Sequence, residues 1–186
     1  MNIVKRFFGH LYTVHKHRAM VRKLCFKCGL YWQGLTHDLS KYSPVEFWNG
    51  VKFFTGTKSP HIGERAEYGY SKAWLHHKGC NKHHGEYWQD IGKDGFTRPI
   101  DMPRQYFLEM ICDRVAASMV YLKDEYKDHS PLDYYLTHQD ENQFSERTRM
   151  HLELYLRLIA LQGFDKTMKK GTKINDETQS YYCITS

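Results

Sequence analysis

No uninterrupted apolar run in this 186-residue chain approaches the ~20 residues that a bilayer-spanning helix needs, so no membrane span is expected. The stretch from Met1 to Arg22 mixes apolar and basic residues. It makes a poor secretory signal and reads better as a helix. Cysteine is sparse: five residues, an odd count with no framework spacing, which argues against a disulfide scaffold and makes the cytosol the expected compartment. The chain also lacks a Gly-rich phosphate loop, a nucleophile elbow and a dinucleotide fingerprint, so the reactions built on those motifs are set aside. Strand signals are weak and no internal repeat occurs. Basic residues are spread along the chain with no recognised nucleic-acid module, so nucleic acid is not an expected partner.

What remains is a globular composition, with 41% hydrophobic and 26% charged residues. The net charge of +6 modestly favours anionic partners. Histidine stands out: twelve residues, most of them clustered at His15 and His17, His37, and His76, His77, His83 and His84. Such clustering points to metal.

The dominant periodicity is helical. Ile3, Phe7, His10, Val14, His17, Val21 and Leu24 repeat in steps of four and three, one face of a first helix that stops near Gly29. A second helix is expected from Leu30 to Lys41. Ser43-Pro44-Val45-Glu46 reads as an N-cap, a first-position proline and a capping-box glutamate, opening a third helix to about Phe54. Thr55–Gly63 is expected as a loop, Arg65–His77 as a fourth helix, Gly79–Asn81 as a break and Gly92–Ile100 as another loop. Pro103 opens a long helix to about Lys127, in which Tyr106, Met110, Asp113, Ala117 and Val120 share a stripe. A short helix over Pro131–Thr137 and a final one over Ser145–Gly163 follow. The expectation is an all-α single domain over residues 1–164, with a polar tail over 165–186.

Two polar residues fall on apolar stripes. His17 lies between Val14 and Val21, and Asp113 between Met110 and Ala117. A buried carboxylate needs a partner or a metal; a structural Asp–His or Asp–Arg pair is the plain alternative. His15 falls on the outward face. The doublet His37-Asp38 supplies imidazole nitrogen and carboxylate oxygen, donors that suit iron, manganese, cobalt or zinc. Between Trp74 and Trp88, four histidines occur within nine residues. His77 shares the Trp74 face, and His76 is left to hydrogen-bond a neighbour or face solvent; His83 and His84 both stay candidates, with His84 slightly preferred. Lys41, placed one helical turn after His37, is positioned to hold an anionic substrate group. Cys25 and Cys28 read as buried thiols, with Cys80 and Cys112 isolated.

The order His17, His37-Asp38, His77, His84, Asp113 on helices resembles the HD-domain superfamily of metal-dependent phosphohydrolases, over roughly Phe8 to Tyr121. His37 through Lys41 is similar to the His-Asp-x-x-Lys motif of its two-metal members. His37-Asp38-Leu39-Ser40-Lys41-Tyr42-Ser43-Pro44 with His83-His84-Gly85-Glu86-Tyr87-Trp88 further resembles a bacterial and phage family of unknown function. The Gly-Tyr-Pro signature of cyclic-dinucleotide enzymes is absent, and His77 and His84 stand only seven residues apart. The resemblance implies an HD-like helical bundle holding one or two divalent transition-metal ions (Fe, Mn, Co or Zn) on His17, His37, Asp38, His77, His83, His84 and Asp113. Asp38 and Lys41 would be catalytic, and the substrate a small phosphorylated anion. A di-iron oxygenase of the same ligand pattern and a non-catalytic, metal-stabilised binding protein are the competing expectations.

Overall fold

A computed structural model describes residues 1–138 and 143–169. The helices are α1 (Ile3–Lys27), α2 (Tyr31–Thr36), α3 (Pro44–Phe53), α4 (Pro60–Tyr68), α5 (Lys72–Cys80), α6 (Arg104–Leu122), α7 (Ser130–Thr137) and α8 (Glu146–Gln162). Short 3-10 turns occupy Leu39–Tyr42, Gly85–Tyr87 and Lys123–Glu125. The expected all-α single domain is what forms. Its β1 (Gln89–Ile91) and β2 (Thr97–Pro99) make one small antiparallel hairpin, with Asp90 opposite Arg98; the turn and β2 fall inside the segment expected as a loop, and β1 just before it. Gly95, at φ 82°, supplies the left-handed residue that closes its turn.

Helix α1 packs against α2, α3 and α6, while α8 lies against α6 and α7. The core joins Val21, Leu24 and Cys25 of α1 to Ile111, Cys112, Val115 and Ala116 of α6 and to Leu152, Leu156 and Ile159 of α8. The α1 stripe faces inward from His10 to Leu24, with Ile3 at its start exposed, and on the α6 stripe Met110 and Val120 are buried while Asp113 and Ala117 are half-buried. Near this seam Cys28 Sγ lies 3.9 Å from Cys112 Sγ, so Cys112 is not the isolated thiol expected.

Several local features differ from the sequence expectation. The second helix stops at Thr36, because Asp38 adopts a left-handed conformation (φ 53°, ψ 29°) that a continuing helix cannot hold. Helix α4 opens at Pro60, inside the expected loop, and Gly69 ends it at φ 79°, donating its N–H to Arg65 O at 2.8 Å. Ser71 then caps a separate α5 by accepting from Trp74 N at 2.9 Å. At α3, Ser43 does accept from Glu46 N, but the Glu46 carboxylate is committed to His76 and His77 rather than closing a capping box. Finally, Phe164, Thr167 and Met168 are buried, so the chain beyond residue 164 begins packed against the core rather than as a tail. The rest of that expected tail lies outside the described residues.

Candidate metal centre

The centre is assembled from five segments. His17 comes from the inward stripe of α1, His77 from α5 and Asp113 from α6. His37 and Asp38 occupy the break after α2, not a helix as expected. Arg18, next to His17, holds that break in place. Its guanidinium donates to His37 O at 2.7 Å, Leu35 O at 3.1 Å and the Tyr42 hydroxyl at 3.1 Å. His83 and His84 follow Asn81, whose amide donates to Ser40 Oγ and to His77 O, both at 2.8 Å.

These side chains form two sets that meet at Asp38. On one side, His17 Nε2 is 2.9 Å from Asp113 Oδ1, and His37 Nε2 is 3.4 Å from Asp38 Oδ2 and 3.5 Å from Asp113 Oδ1. On the other, Asp38 Oδ1 faces His77 Nε2 at 3.4 Å and His83 Nε2 at 3.5 Å, and His84 completes the group. Asp38 thus offers one oxygen to each set, and it is 1% exposed. Ligands at about 2.0–2.2 Å around a tetrahedral ion stand roughly 3.4 Å from one another, which the spacings of 3.4 and 3.5 Å match, while His17 and Asp113 stand closer, at 2.9 Å.

Hydrogen bonding among the described residues does not use the atoms that converge here. His17 Nε2, His37 Nε2, both Asp38 oxygens, His83 Nε2 and His84 Nε2 are buried without a hydrogen-bond partner. Burying polar atoms unpaired is costly, and a cation between them is the physical remedy. The Lys41 ammonium approaches Asp38 Oδ2 to 2.8 Å as an ion pair, without hydrogen-bond alignment.

The far nitrogens of the rings are, by contrast, paired. His37 Nδ1 and His83 Nδ1 meet the same Glu109 oxygen at 2.9 and 3.2 Å, and His77 Nδ1 meets Glu46 at 2.8 Å. His76 Nδ1 bonds the other Glu46 oxygen at 2.7 Å, the neighbour contact expected of it. Sequence reasoning missed Glu46, Glu109 and Arg18. Glu109 did carry a signal, as a carboxylate inside the otherwise apolar run Phe107–Cys112.

Electrostatics prepares the donors. Burial, with positive neighbours, holds His17 and His84 below the usual histidine range, leaving neutral imidazoles with a free lone pair. Burial alone would raise Asp38 and Asp113, but the facing imidazoles, and Lys41 at Asp38, hold both carboxylates well below their ordinary values. For His37 burial opposes the charge, yet Asp38, Asp113 and Glu109 outweigh it and push the ring up to about 10. A cation entering this set displaces that proton.

Every candidate ligand is therefore brought into the centre, and both rings of the last doublet lie in the group. His83 is the more enclosed, at 2% exposure. His15 is exposed, as its helical phase requires. Lys41 reaches the centre from the 3-10 turn, three residues after Asp38, not from one helical turn after His37. A cavity of about 940 Å³ opens over the two sets, and Lys41, Lys58, Arg65 and Arg114 line it.

The fold and its centre define an all-α protein with a buried, carboxylate-bridged histidine cluster suited to a metal ion. The chain belongs to the Family of unknown function (DUF5662), whose model matches residues 6–158, a span that contains the whole centre. No curated protein and no solved structure matches the chain. Among the described residues no helix is long and apolar enough to cross a membrane.

Proposed function

We propose that the protein is a metal-dependent phosphohydrolase with two ion positions: His17, His37, Asp38 and Asp113 at one, Asp38, His77, His83 and His84 at the other. The observation that carries this reading is the division of one buried carboxylate, Asp38, between two sets of unpaired imidazole nitrogens. The order of those ligands is also what resembles the HD-domain hydrolases. Divalent ions, when bound, supply an acidified water and polarise a phosphoryl oxygen.

The chain's own residues define the rest. Burial opposes the Lys41 charge, but Asp38 and Asp113 outweigh it and raise its pKa, so it stays an ammonium across the physiological range. Its side chain keeps 31% exposure on the cavity side, where it meets the negative charge that develops on a reacting phosphoryl group. Lys58, Arg65 and Arg114 add positive charge to the same cavity and draw an anionic substrate inward. At about 940 Å³ the cavity suits a small organic phosphate up to the size of a nucleotide.

The test is metal analysis of protein purified without chelator, followed by assay of manganese-, cobalt- and iron-loaded protein on phosphomonoester and phosphodiester chromogens. Bound transition metal with phosphate release supports the reading. Absence of bound metal, or oxygen consumption by the iron form without phosphate release, overturns it; the latter marks the oxygenase instead.

A further inference from the structure

Glu109 stands where the two ion positions meet from below, and neither position includes it as a ligand. One oxygen, Oε1, takes His37 Nδ1 at 2.9 Å and His83 Nδ1 at 3.2 Å. Those two rings lie side by side, with centroids 4.4 Å apart and planes 35° apart. His37 belongs to one ion position and His83 to the other. Glu109 is 6% exposed and sits one turn before Asp113 on α6, so the same helix supplies a ligand and the support beneath it.

The chemistry decides between two roles for this carboxylate. His37, His83 and Glu109 by themselves form a cluster of the size that can hold an ion. That ion would bind both rings through Nδ1, while Nε2 of each ring faces Asp38 at 3.4 and 3.5 Å. Ligation at both ends would require two doubly deprotonated imidazolates. A carboxylate that accepts both Nδ1–H protons leaves each Nε2 lone pair for the centre and needs no such species. The His37 contact, at 2.9 Å, has the length of a charge-assisted hydrogen bond, and His83 Nδ1 lies within ion-pair reach of the same oxygen at 3.2 Å.

We propose that Glu109 is a positioning residue shared by both ion positions, whereas Glu46 serves one. Glu46 orients His77 alone among the ligands, its second oxygen being taken by His76. His77 Nδ1 also has Ser40 Oγ at 3.3 Å in reach, so its orientation survives the loss of Glu46 better. This inference rests on the two-position reading, and it predicts an asymmetry that the ligand set alone does not.

The experiment is cobalt(II) titration of the chelator-stripped full chain, comparing wild type with Glu109→Gln and Glu46→Gln. Glutamine keeps the size of the side chain but offers a neutral acceptor. Losing a carboxylate that orients a metal-binding histidine weakens binding about 10–100-fold. Glu109→Gln is expected to weaken both cobalt ions by that factor, and Glu46→Gln only one of the two. Nitrogen-resolved NMR of the histidine side chains, without metal, gives a second readout that needs no variant. Wild-type His37 and His83 must each carry a proton on Nδ1, and a ring protonated only on Nε2 overturns the proposal. So does Glu109→Gln protein that binds both ions as wild type does, or that loses only one. Wild-type protein that takes up no cobalt while keeping both Nδ1–H signals overturns the metal reading and leaves the hydrogen-bonded arrangement of Glu109 standing.

Discussion

Replacing Asp38 by asparagine isolates its charge more cleanly than alanine does. Asp38 has φ 53° and ψ 29°, a region that asparagine tolerates and alanine does not. Asp38→Asn therefore keeps the turn and the side-chain shape while deleting the one residue common to both ligand sets. Wild-type protein holding two ions, each at about 100 times its dissociation constant, gains roughly 2.7 kcal/mol per ion. For a chain of this size each kcal/mol moves the melting temperature by about 2–4 °C, so metal should raise it by roughly 10–20 °C. In Asp38→Asn that increment should fall below about 2 °C. The metal-free variant should itself be less stable, because Lys41 loses its closest anion and His37 loses one of the two carboxylates that face its Nε2. Breaking a buried pair costs about 3–5 kcal/mol, but Lys41 is 31% exposed and Asp113 remains nearby, which brings the expected loss to about 1–3 kcal/mol. Circular dichroism melts with manganese or cobalt in excess, and again with chelator, measure both quantities; His15→Ala, exposed and remote in phase, should melt like wild type in each. An Asp38→Asn protein that keeps two ions and the full metal increment would refute the bridging role.

Lys41→Ala should retain metal and fold while kcat/KM falls about 100-fold, near 3 kcal/mol of transition-state stabilisation; unchanged kinetics on a turned-over phosphoester would reduce Lys41 to a structural partner of Asp38. Gly50→Ala should lower stability by about 1–3 kcal/mol without loss of metal, because the added methyl would run into the His10 ring, and an unchanged melt contradicts that packing. Burial, reinforced by nearby cations, lowers His10 and His61 to about 4. The unfolded chain takes up those protons near pH 6.5 and the folded chain only near 4, so stability of the metal-free protein should fall as pH drops between these values. For the well-buried His10 the full effect is about 3 kcal/mol, and a flat stability profile across that window would show that the ring protonates freely in the folded state.

The fold was legible wherever a single helix buries one stripe over many turns. Val14, His17, Val21 and Leu24 on α1, and Met110 on α6, are buried at the phases that their spacing implies. Legibility failed where one residue's backbone conformation decides. Asp38 carries no mark in the sequence that separates a helical aspartate from a left-handed one; Arg18, which pins the turn from nineteen residues away, does so through contacts that no local pattern contains. Gly69 and Ser71 did carry the usual stop and start signals, and the single helix expected over Arg65–His77 ran across both. The hairpin at Gln89–Pro99 escaped because each strand has only three residues, too few for an alternation to register.

At the centre the converging donor residues were readable and their supports were not, and the difference is physical. A ligand announces itself as a polar residue where an apolar one belongs, because the chain must bury it to converge on an ion. Its supporting carboxylate is recognised only by what it touches, and that partner comes from elsewhere in the chain. Glu46 lies 30 residues before His76, and Glu109 lies 72 after His37. The local pattern even assigned Glu46 to a different partner, the start of its own helix. That assignment gave way because two imidazoles inside the protein bind a carboxylate more strongly than one backbone amide at a solvated helix end does. The break after α2 follows the same logic: by leaving the helix at His37, the chain sets the two Asp38 oxygens between imidazoles from α1 and α5. A regular helix through Lys41 would keep His37 and Asp38 about 100° apart on its surface and leave one of them outside the centre. The departure from regular structure at Asp38 is thus what allows one carboxylate to face both sets of histidines.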